Sequence, residues 1–443
     1  MADEPIDRFE ALVPHNMKER GRITLEALLS PVRDVINRRQ FPKEPLSEEQ
    51  VDLLLRLLSS MDTDKDPDAA RVGEREGRTA SPMIQKLAAG FNHGIGRSGH
   101  VTAPQPKAPG ASIMQRIANS VALDAIRELG LPNVRAGLVT PLSTGMTLAL
   151  VFGAFRREIG TRNVIYPRID HTSPKRAIQL AGLNEKTIPT VLDGDAVVPD
   201  MNEFEKCLQD AKNAAVLATT TFFPPRESDP VKAIAKLCEE KQIPLVINNA
   251  YGVQSKRVMS EIRSAIDAGR VDAVVQSSDK NFLVPVGGSI LVSPRDDIIE
   301  QAAETYAGRA TAAPVVQTLA ALLVLGLEEY SKLQEAQVNN LNFLEDEMAS
   351  IADSVDERLL SIWNPVACAM TIDGFDAKKI GGRLYNRRVT GPRAVPKNGK
   401  GASIDGYPHS YLVMNAAIGA SRTDVKQATT RLYKELTEWL KKG

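Results

Sequence analysis

One lysine stands where its side chain could do covalent chemistry. Lys280 follows the apolar run Ala273–Gln276 and the small hydroxyl residues Ser277 and Ser278, and two glycines come shortly after it. A free lysine has a pKa of about 10.4, so burial or a cationic neighbour must lower that pKa by roughly 3 before the amine can act as a base near neutral pH. A surface lysine at the end of a strand is the structural alternative, and this segment alone does not exclude it.

Three other segments carry side chains of complementary chemistry. Asn248 ends a strand candidate and begins the run Asn-Asn-Ala-Tyr-Gly, and His171 follows an earlier strand candidate. Ser143 and Thr144 join a strand to a helix, and the N–H groups and hydroxyls of such a helix start can hold a phosphate. An ordinary N-cap turn and a loop histidine would give the same local patterns. Only the order and spacing of all the segments together therefore indicate a common site.

In that order and spacing, the segments resemble pyridoxal 5′-phosphate (PLP) enzymes of the aspartate-aminotransferase fold, fold type I. The resemblance implies that Lys280 forms a Schiff base with the cofactor aldehyde and is the catalytic base. It further implies a cofactor site made of one basic residue and several polar ones: Lys280, Ser143, Thr144, His171, Asn248 and Ser277.

Asn248 departs from the pattern of that fold, which usually has an acid beside the pyridine nitrogen. A neutral amide stabilises a pyridinium charge less than a carboxylate does. We therefore expect a weaker electron sink, which suits elimination of a good β-leaving group better than transamination. Ready transamination of free amino acids would contradict this hypothesis.

A cluster of arginines and glycines precedes the main α/β pattern. Residues 71–107 contain 6 basic and 2 acidic side chains, a net charge of +4. Glycine lets the backbone approach an anion, and arginine binds phosphate through two parallel hydrogen bonds. Arg309, in Ala-Gly-Arg-Ala, is a second candidate anion ligand. The pattern predicts a phosphate loop at about 94–107, and a flexible solvated loop is the alternative.

At this point the resemblance becomes specific. VGEREGR, HGIGRSG, QPKAPG, PRID, INNAYGVQSK, QSSDKNFLVPVGGSI and AGRATAAP occur in this order and resemble the O-phosphoseryl-tRNA(Sec) selenium transferase family, from about residue 60 to the C-terminus. The resemblance implies β-elimination of phosphate from phosphoserine on tRNA(Sec), a dehydroalanyl-tRNA intermediate, and selenium addition from selenophosphate. Selenocysteinyl-tRNA(Sec) would be the product.

The resemblance also implies roles for residues of the arginine cluster. Glu74 would repel the α-carboxylate of free amino acids, which an ester to tRNA lacks. Arg75 would contact the cofactor phosphate from a neighbouring subunit, since the family forms a homotetramer, a dimer of dimers joined by N-terminal helices. The substrate phosphate would be held by four residues: Arg97, Ser98, Gln105 and Arg309.

Arg393 matches a family position that contacts tRNA. Residues 381–400 around it contain 6 basic side chains and no acidic one. Such a patch can neutralise several phosphates, which makes binding salt-dependent. A basic loop with no ligand is the alternative. Asp267 lies in a helix end where animal members are more basic, so we expect the tRNA footprint to differ in detail there.

Composition and pattern set the overall expectations. The 443 residues include 55 basic and 55 acidic side chains, which excludes a uniformly positive coat for nucleic acid. Strands interleaved with helices predict an α/β fold with a mostly parallel central sheet and flanking helices. We expect an N-terminal helical oligomerisation segment (1–45), a PLP-binding catalytic domain (46–325) and a small α+β C-terminal domain (326–443). The pattern also predicts a hairpin over 282–292 and a helix capped by Asp229.

Three other functions are compatible with these motifs. Cysteine desulfurases and selenocysteine lyases share the fold but need a cysteine on a mobile loop, whereas Cys207 and Cys238 fall in predicted helices and Cys368 in an apolar strand. A PLP enzyme that makes cysteinyl-tRNA from phosphoseryl-tRNA is a closer alternative, and a non-catalytic tRNA-binding protein is a third. The cysteine spacing supports no disulfide and no thiolate metal site. We expect a cytoplasmic enzyme with no membrane span and no metal.

Overall fold

A computed structural model describes residue 12 and residues 14–441 of the chain. The helices in the described part are α1 (His15–Arg38), α2 (Glu48–Ser59), α3 (Pro82–Lys86), α4 (Pro109–Glu128), α5 (Thr144–Ile159), α6 (Thr172–Leu180), α7 (Met201–Gln209), α8 (Val231–Glu240), α9 (Lys256–Ala268), α10 (Ser278–Phe282), α11 (Asp296–Thr305), α12 (Ala313–Ser354), α13 (Ala377–Asn386) and α14 (Arg422–Leu440). The strands are β1 (Ala136–Thr140), β2 (Asn163–Pro167), β3 (Asn184–Ile188), β4 (Thr190–Asp193), β5 (Ala196–Pro199), β6 (Ala214–Thr219), β7 (Leu245–Asn248), β8 (Ala273–Ser277), β9 (Ser289–Ser293), β10 (Ala367–Thr371), β11 (Arg393–Val395) and β12 (Tyr411–Asn415).

The central sheet of the described residues has seven strands in the order β1-β9-β8-β7-β6-β2-β3. Pairings from β8 through β7, β6 and β2 to β3 are parallel, and only β9 runs antiparallel, to both β1 and β8. The predicted mostly parallel sheet is therefore confirmed. Because parallel strands end at a common edge, the sequence segments after β6, β7 and β8 are brought side by side.

Both faces of the sheet are covered. Ile247 and Val274 pack in one hydrophobic cluster with helices α4 and α12, while their neighbours Val246 and Val275 pack in another with α5. Successive side chains of a strand point to opposite faces, so a sheet buried on both sides needs continuous apolar runs. This explains why the central strands are apolar throughout.

The C-terminal part forms a second, smaller layer. Strands β10, β12 and β11 make a three-stranded antiparallel sheet. Met370, Leu412 and Leu432 are fully buried in a cluster with the C-terminal half of α12. A separate core of this kind is typical of an α+β unit.

Helix α12 links the two parts and is broken at Gly326, which has φ +55° and ψ −179°. The break frees backbone groups that the segment 42–46 satisfies. Leu46 N–H donates to the carbonyl of Leu323 at 2.9 Å, and Leu327 N–H donates to the carbonyl of Pro42 at 2.9 Å. The N-terminal segment is thus fastened to the joint between the two parts.

Length and composition alone would allow α12 to cross a membrane. Its side chains argue otherwise, because Leu319, Leu322 and Leu323 are fully buried in the main hydrophobic cluster. A helix that packs inside the protein on this scale is a core helix.

Two local predictions are wrong. Residues 282–292 do not form a hairpin, because Ser278–Phe282 is a short helix that ends at Leu283 in the left-handed region, and β9 instead pairs with β8. Asp229 does not cap α8, whose N-cap is Pro230 without a side-chain bond. The Asp229 carboxylate is buried, accepts the Thr219 N–H at 2.7 Å and pairs with Arg226.

Candidate active site

Lys280 is carried by α10, the single helical turn between β8 and β9. Asn281, the next residue, fixes this turn, because its amide donates to the carbonyl of Ala250 at 2.9 Å and to that of Ser277 at 2.7 Å. Gln254 donates to the carbonyl of Lys280 at 3.1 Å. These bonds tie the lysine to the chain that follows β7, so the two predicted motifs meet at the carboxyl edge of the sheet.

The lysine opens into a pocket, here called the Lys280 pocket, to which α5, α6 and the ends of β6 and β7 contribute. Thr144, His171, Asn248 and Lys280 line it, as predicted. Ser143 is the N-cap of α5 and makes no side-chain cap bond. Ser277 is not among the lining residues, and its hydroxyl donates to Asp279.

Buried polar atoms in and beside the pocket fit a polar ligand. Among the described residues that line the pocket, Thr144 Oγ1, Thr221 Oγ1 and Asn248 Oδ1 have no hydrogen-bond partner. Buried polar groups are almost always hydrogen-bonded, so three such atoms in one pocket indicate a polar ligand. A ligand with a phosphate and a ring nitrogen, such as PLP, supplies acceptors and donors of this kind.

The surroundings favour the neutral amine of Lys280. Burial lowers the pKa of Lys280, and the neighbouring Asp279 opposes that change. Its Nζ lies 4.6 Å from the centroid of the Tyr251 ring. The pKa of His171 is also lowered, first by desolvation and then by the charges of Lys280 and Arg393. The lowered pKa of Lys280 has the direction that a Schiff-base lysine requires.

The predicted anion ligands share a second site, the anion cleft, which has a volume of about 370 Å³. Its walls are formed by residues Glu74, Arg75, Glu76, Gly77, His93, Arg97, Ser98, Gln105, Lys107 and Arg309. Three arginines in one cleft make a phosphate site by charge and by geometry.

Two distant segments meet to build this cleft. Ile95 N–H donates to the carbonyl of Ala310 at 2.9 Å, and Ala310 N–H returns a bond to Ile95 at 3.1 Å. This bridge places Arg97 and Arg309 in the same cleft. Gly94 has φ +70°, and a Cβ there would lie 2.2 Å from the carbonyl oxygen of Ala310, so only glycine allows the approach.

In the described residues of one chain, the anion cleft and the Lys280 pocket share no lining residue. Arg393 takes a different place from the arginines of the cleft. Its guanidinium lies 5.4 Å from the ring centroid of Phe223, a lining residue of the Lys280 pocket. The predicted tRNA contact is therefore a neighbour of the predicted catalytic lysine.

A model of the family described as O-phosphoseryl-tRNA(Sec) selenium transferase, SepSecS, matches residues 61–437. The chain belongs to this family. The selenium transferase of Methanopyrus kandleri is 43% identical over 432 residues, which are 97% of this chain and 99% of that protein. The crystal structure of an archaeal O-phosphoseryl-tRNA(Sec) selenium transferase has a TM-score of 0.92 at 41% identity and covers 96% of this chain and 98% of that one.

A more distant likeness concerns the fold alone. Oryza sativa TDC, solved with PLP and tryptamine, has a TM-score of 0.59 at 12% identity, covering 97% of this chain and 99% of that one. The predicted family, the type I fold of PLP-dependent enzymes and the assignment as an enzyme are thus confirmed. The roles of the individual site residues stay predictions.

Sequence reasoning missed three polar side chains of these sites. Thr221 lies in the Lys280 pocket beyond β6, and a threonine after a strand carries no distinctive signal. Tyr251 was visible only as part of the Asn-Asn-Ala-Tyr-Gly run. His93 lines the anion cleft and stands directly before Gly-Ile-Gly-Arg, but a single histidine in a loop carries no distinctive signal of its own.

Proposed function

We propose that the protein converts O-phosphoseryl-tRNA(Sec) and selenophosphate to selenocysteinyl-tRNA(Sec), with PLP as cofactor and in the cytoplasm. The family match over residues 61–437 carries this proposal, because that range contains every predicted site residue. The two sites described above supply the two groups that the reaction needs. The Lys280 pocket supplies a buried amine, and the anion cleft supplies a binding site for phosphate.

Lys280, Thr144, His171 and Asn248, with Ser143 and Ser277 beside them, would hold the cofactor. When bound, PLP withdraws electrons from the Cα of an attached amino acid and so acidifies its Cα–H bond. Lys280 Nζ accepts that proton. The C–H electrons form a Cα=Cβ double bond as the Cβ–O bond breaks and phosphate leaves. The selenium of selenophosphate then bonds to Cβ while Lys280 Nζ returns a proton to Cα, and water cleaves the Se–P bond, so that a second phosphate leaves and selenocysteine remains on the tRNA.

The anion cleft selects and holds the substrate phosphate. Arg97 and Arg309 contribute charge, and Ser98 and Gln105 contribute hydrogen bonds. Glu74, also in the cleft, disfavours free amino acids, because its negative charge repels their α-carboxylate. The ester to tRNA carries no such charge and is not repelled.

Arg393 brings the acceptor end of tRNA to the Lys280 pocket. Its position beside Phe223 supports this role. The predicted basic patch is smaller than its sequence suggests, because Arg383 pairs with Glu435, and Arg387 pairs with Glu435 and Glu438. The residues of the patch that make no ion pair in the described chain are Arg388, Arg393, Lys397 and Lys400.

The separation of the two sites supports an assembled enzyme. We infer that the anion cleft of one subunit, with Arg75, faces the Lys280 pocket of a partner in a homotetramer. Helix α1 carries exposed apolar side chains suited to an interface, among them Met17 and Ile23, which are 55% and 68% exposed. Light scattering at several concentrations would measure the mass of the assembly.

Incubation with phosphoseryl-tRNA(Sec), with and without selenophosphate, tests the function. We expect inorganic phosphate to be released in both incubations. Selenocysteinyl-tRNA(Sec) should form only in the incubation that contains selenophosphate. Lys280→Ala should abolish both products and the absorbance near 420 nm that PLP gives when bound to a lysine amine. Lys256→Ala, at an exposed residue that begins α9, serves as the matched control and should retain all three signals.

Other products would point to the alternatives. Cysteinyl-tRNA with a sulfur donor, or sulfur release from free cysteine, would contradict the proposal. A desulfurase is disfavoured by the cysteines, since all three are buried and burial raises the pKa of Cys238 to about 12. A tRNA-binding protein without activity would bind tRNA equally well with and without Lys280.

A further inference from the structure

His93 lies at the back of the anion cleft with an unsatisfied ring nitrogen. The side chain is 2% exposed, and within the described chain its Nε2 has no hydrogen-bond partner. Asp64 Oδ1 lies 3.7 Å from Nε2 and is likewise buried without a bond. An ordinary core histidine has its nitrogens bonded, so this pair is built for a change of protonation or of ligand.

Asp64 is held firmly in this position. Its other oxygen, Oδ2, accepts from Lys65 Nζ at 2.7 Å and from Asn92 Nδ2 at 2.7 Å. The remaining oxygen therefore faces the imidazole with no freedom to turn away. A carboxylate behind a histidine fixes its ring and stabilises its protonated form.

The charges that face His93 come from every segment of the cleft. Burial lowers its pKa, Asp64 and Glu76 raise it, and Arg309 and Arg75 lower it. Lys65 and Asp62 act at the Asp64 end, and Lys107 pairs with Glu76. A dianion bound between the arginines would offset their charges. Binding of phosphate therefore favours the protonated imidazole.

Elimination of phosphate from a fully ionised ester requires a proton donor near the oxygen that links phosphorus to Cβ. A phosphate monoester that is fully ionised would have to leave Cβ as the trianion, which is a strongly basic and poor leaving group. A proton donor near the bridging oxygen removes this barrier. General acid catalysis of this kind contributes roughly 100-fold to 10,000-fold in rate.

We propose that His93, backed by Asp64, is the proton donor to the phosphate that leaves from Cβ. The inference rests on the proposed function. The imidazolium N–H proton bonds to the bridging oxygen, the electrons of the Cβ–O bond move to that oxygen, and phosphate leaves as the hydrogen phosphate dianion. His93 ends neutral and is reprotonated from water.

Single-turnover release of phosphate from phosphoseryl-tRNA(Sec) tests the donor. His93→Gln should slow phosphate release by about 100-fold or more. The concentration of phosphoseryl-tRNA(Sec) that gives half of the maximal rate should change little. In the wild-type enzyme the rate should fall as pH rises through the titration of His93, and this limb should vanish in His93→Gln. His100→Gln is the matched control, because His100 lies nearby but pairs with exposed Glu300 at 2.8 Å.

Proton uptake provides a readout that does not depend on turnover. Sulfate is a dianion that does not titrate near neutral pH, so calorimetry in two buffers of different ionisation enthalpy counts the protons taken up when it binds to the PLP-loaded enzyme. We expect uptake in the wild type and in His100→Gln, and none in His93→Gln. Asp64→Asn should reduce the uptake and supplies a second variant if His93→Gln does not fold.

The outcomes separate this inference from the proposed function. Phosphate release at the wild-type rate in His93→Gln, or sulfate binding without proton uptake in the wild type, would overturn the role of His93 and leave the function intact. No phosphate release in any variant, including the wild type, would instead refute the function itself. Equal loss of rate in His93→Gln and His100→Gln would show a merely structural effect.

Discussion

Single residues in the Lys280 pocket present buried polar atoms to a ligand. Thr144, Thr221 and Asn248 keep such atoms without a partner among the described residues, and a ligand that bonds to them offsets a penalty of about 1–3 kcal/mol for each atom. Sequence spacing predicted Lys280, Thr144 and Asn248, because each follows a strand or opens a helix. Spacing did not predict Thr221, because the sequence around it contains no motif. Its place in the pocket is set only when the strands assemble into the sheet.

Asp62 offers a stability test at the same scale. It is 1% exposed, and burial raises its pKa to about 6. The folded protein therefore binds the Asp62 proton more tightly than the unfolded chain does, so this residue destabilises the fold above about pH 6 and the penalty fades as pH falls toward 4. We expect Asp62→Asn to have a higher free energy of unfolding than the wild type at pH 8. This advantage should be about 2–3 kcal/mol larger at pH 8 than at pH 4.

Urea unfolding at a series of pH values measures this difference. Asp68→Asn is the control, because Asp68 is exposed and its replacement should give no pH-dependent gain. A difference between Asp62→Asn and wild type that is the same at every pH would contradict the assignment. A constant offset alone would reflect only the new amide.

At the scale of elements, periodicity predicted the long and capped helices well. Ser47 and Gln50 have the spacing of a capping box, and Gly160 is a typical end for a helix over Thr144–Ile159. Both predictions from the sequence are confirmed, at the start of α2 and in the bounds of α5, because local capping and apolar spacing decide them. The segment around Phe282 was mispredicted because a five-residue helix is too short for a periodic signal. Asp229 was mispredicted because its buried pairing with Arg226 outweighs its local preference for a cap.

The break in α12 is the element-scale feature with the sharpest test. Gly326 adopts φ +55°, and an added Cβ would lie 3.0 Å from backbone atoms of Glu44 and Pro45. We expect Gly326→Ala to lower the free energy of unfolding by about 1–3 kcal/mol from backbone strain, with a further loss from the clash. Urea unfolding measures the effect.

Gly382→Ala is the matched control for that substitution. Gly382 lies in α13 with open space around its Cα, so alanine there should be neutral or stabilising by up to about 1 kcal/mol. Equal effects at the two glycines would show that the break in α12 imposes no requirement for glycine.

For the whole molecule, the zero net charge is an average over unlike regions. The anion cleft gathers arginines from segments far apart in the chain, while the basic stretch 381–400 loses part of its charge to Glu435 and Glu438. Sequence counting could not anticipate that loss, because the acids lie on α14, about fifty positions further on. We propose the division into segments 1–45, 46–325 and 326–443, whose second boundary falls at Gly326.

Binding of tRNA should distinguish free from paired arginines. Arg393→Ala should weaken binding and make the slope of log affinity against log salt shallower by about one, because one phosphate contact is lost. Arg387→Ala should leave that slope unchanged, since its guanidinium already contacts Glu435 and Glu438. Equal changes in slope would contradict this assignment, and filter binding at several salt concentrations measures it.

The bonds between residues 42–46 and the break in α12 also constrain the order in which the chain can fold. The segment 42–46 is synthesised early, but its partners, Leu323 and Leu327, appear only after the whole central sheet has been made. Such a long loop is slow to close. Residues 42–46 therefore reach their final place late, only after the whole central sheet has been synthesised.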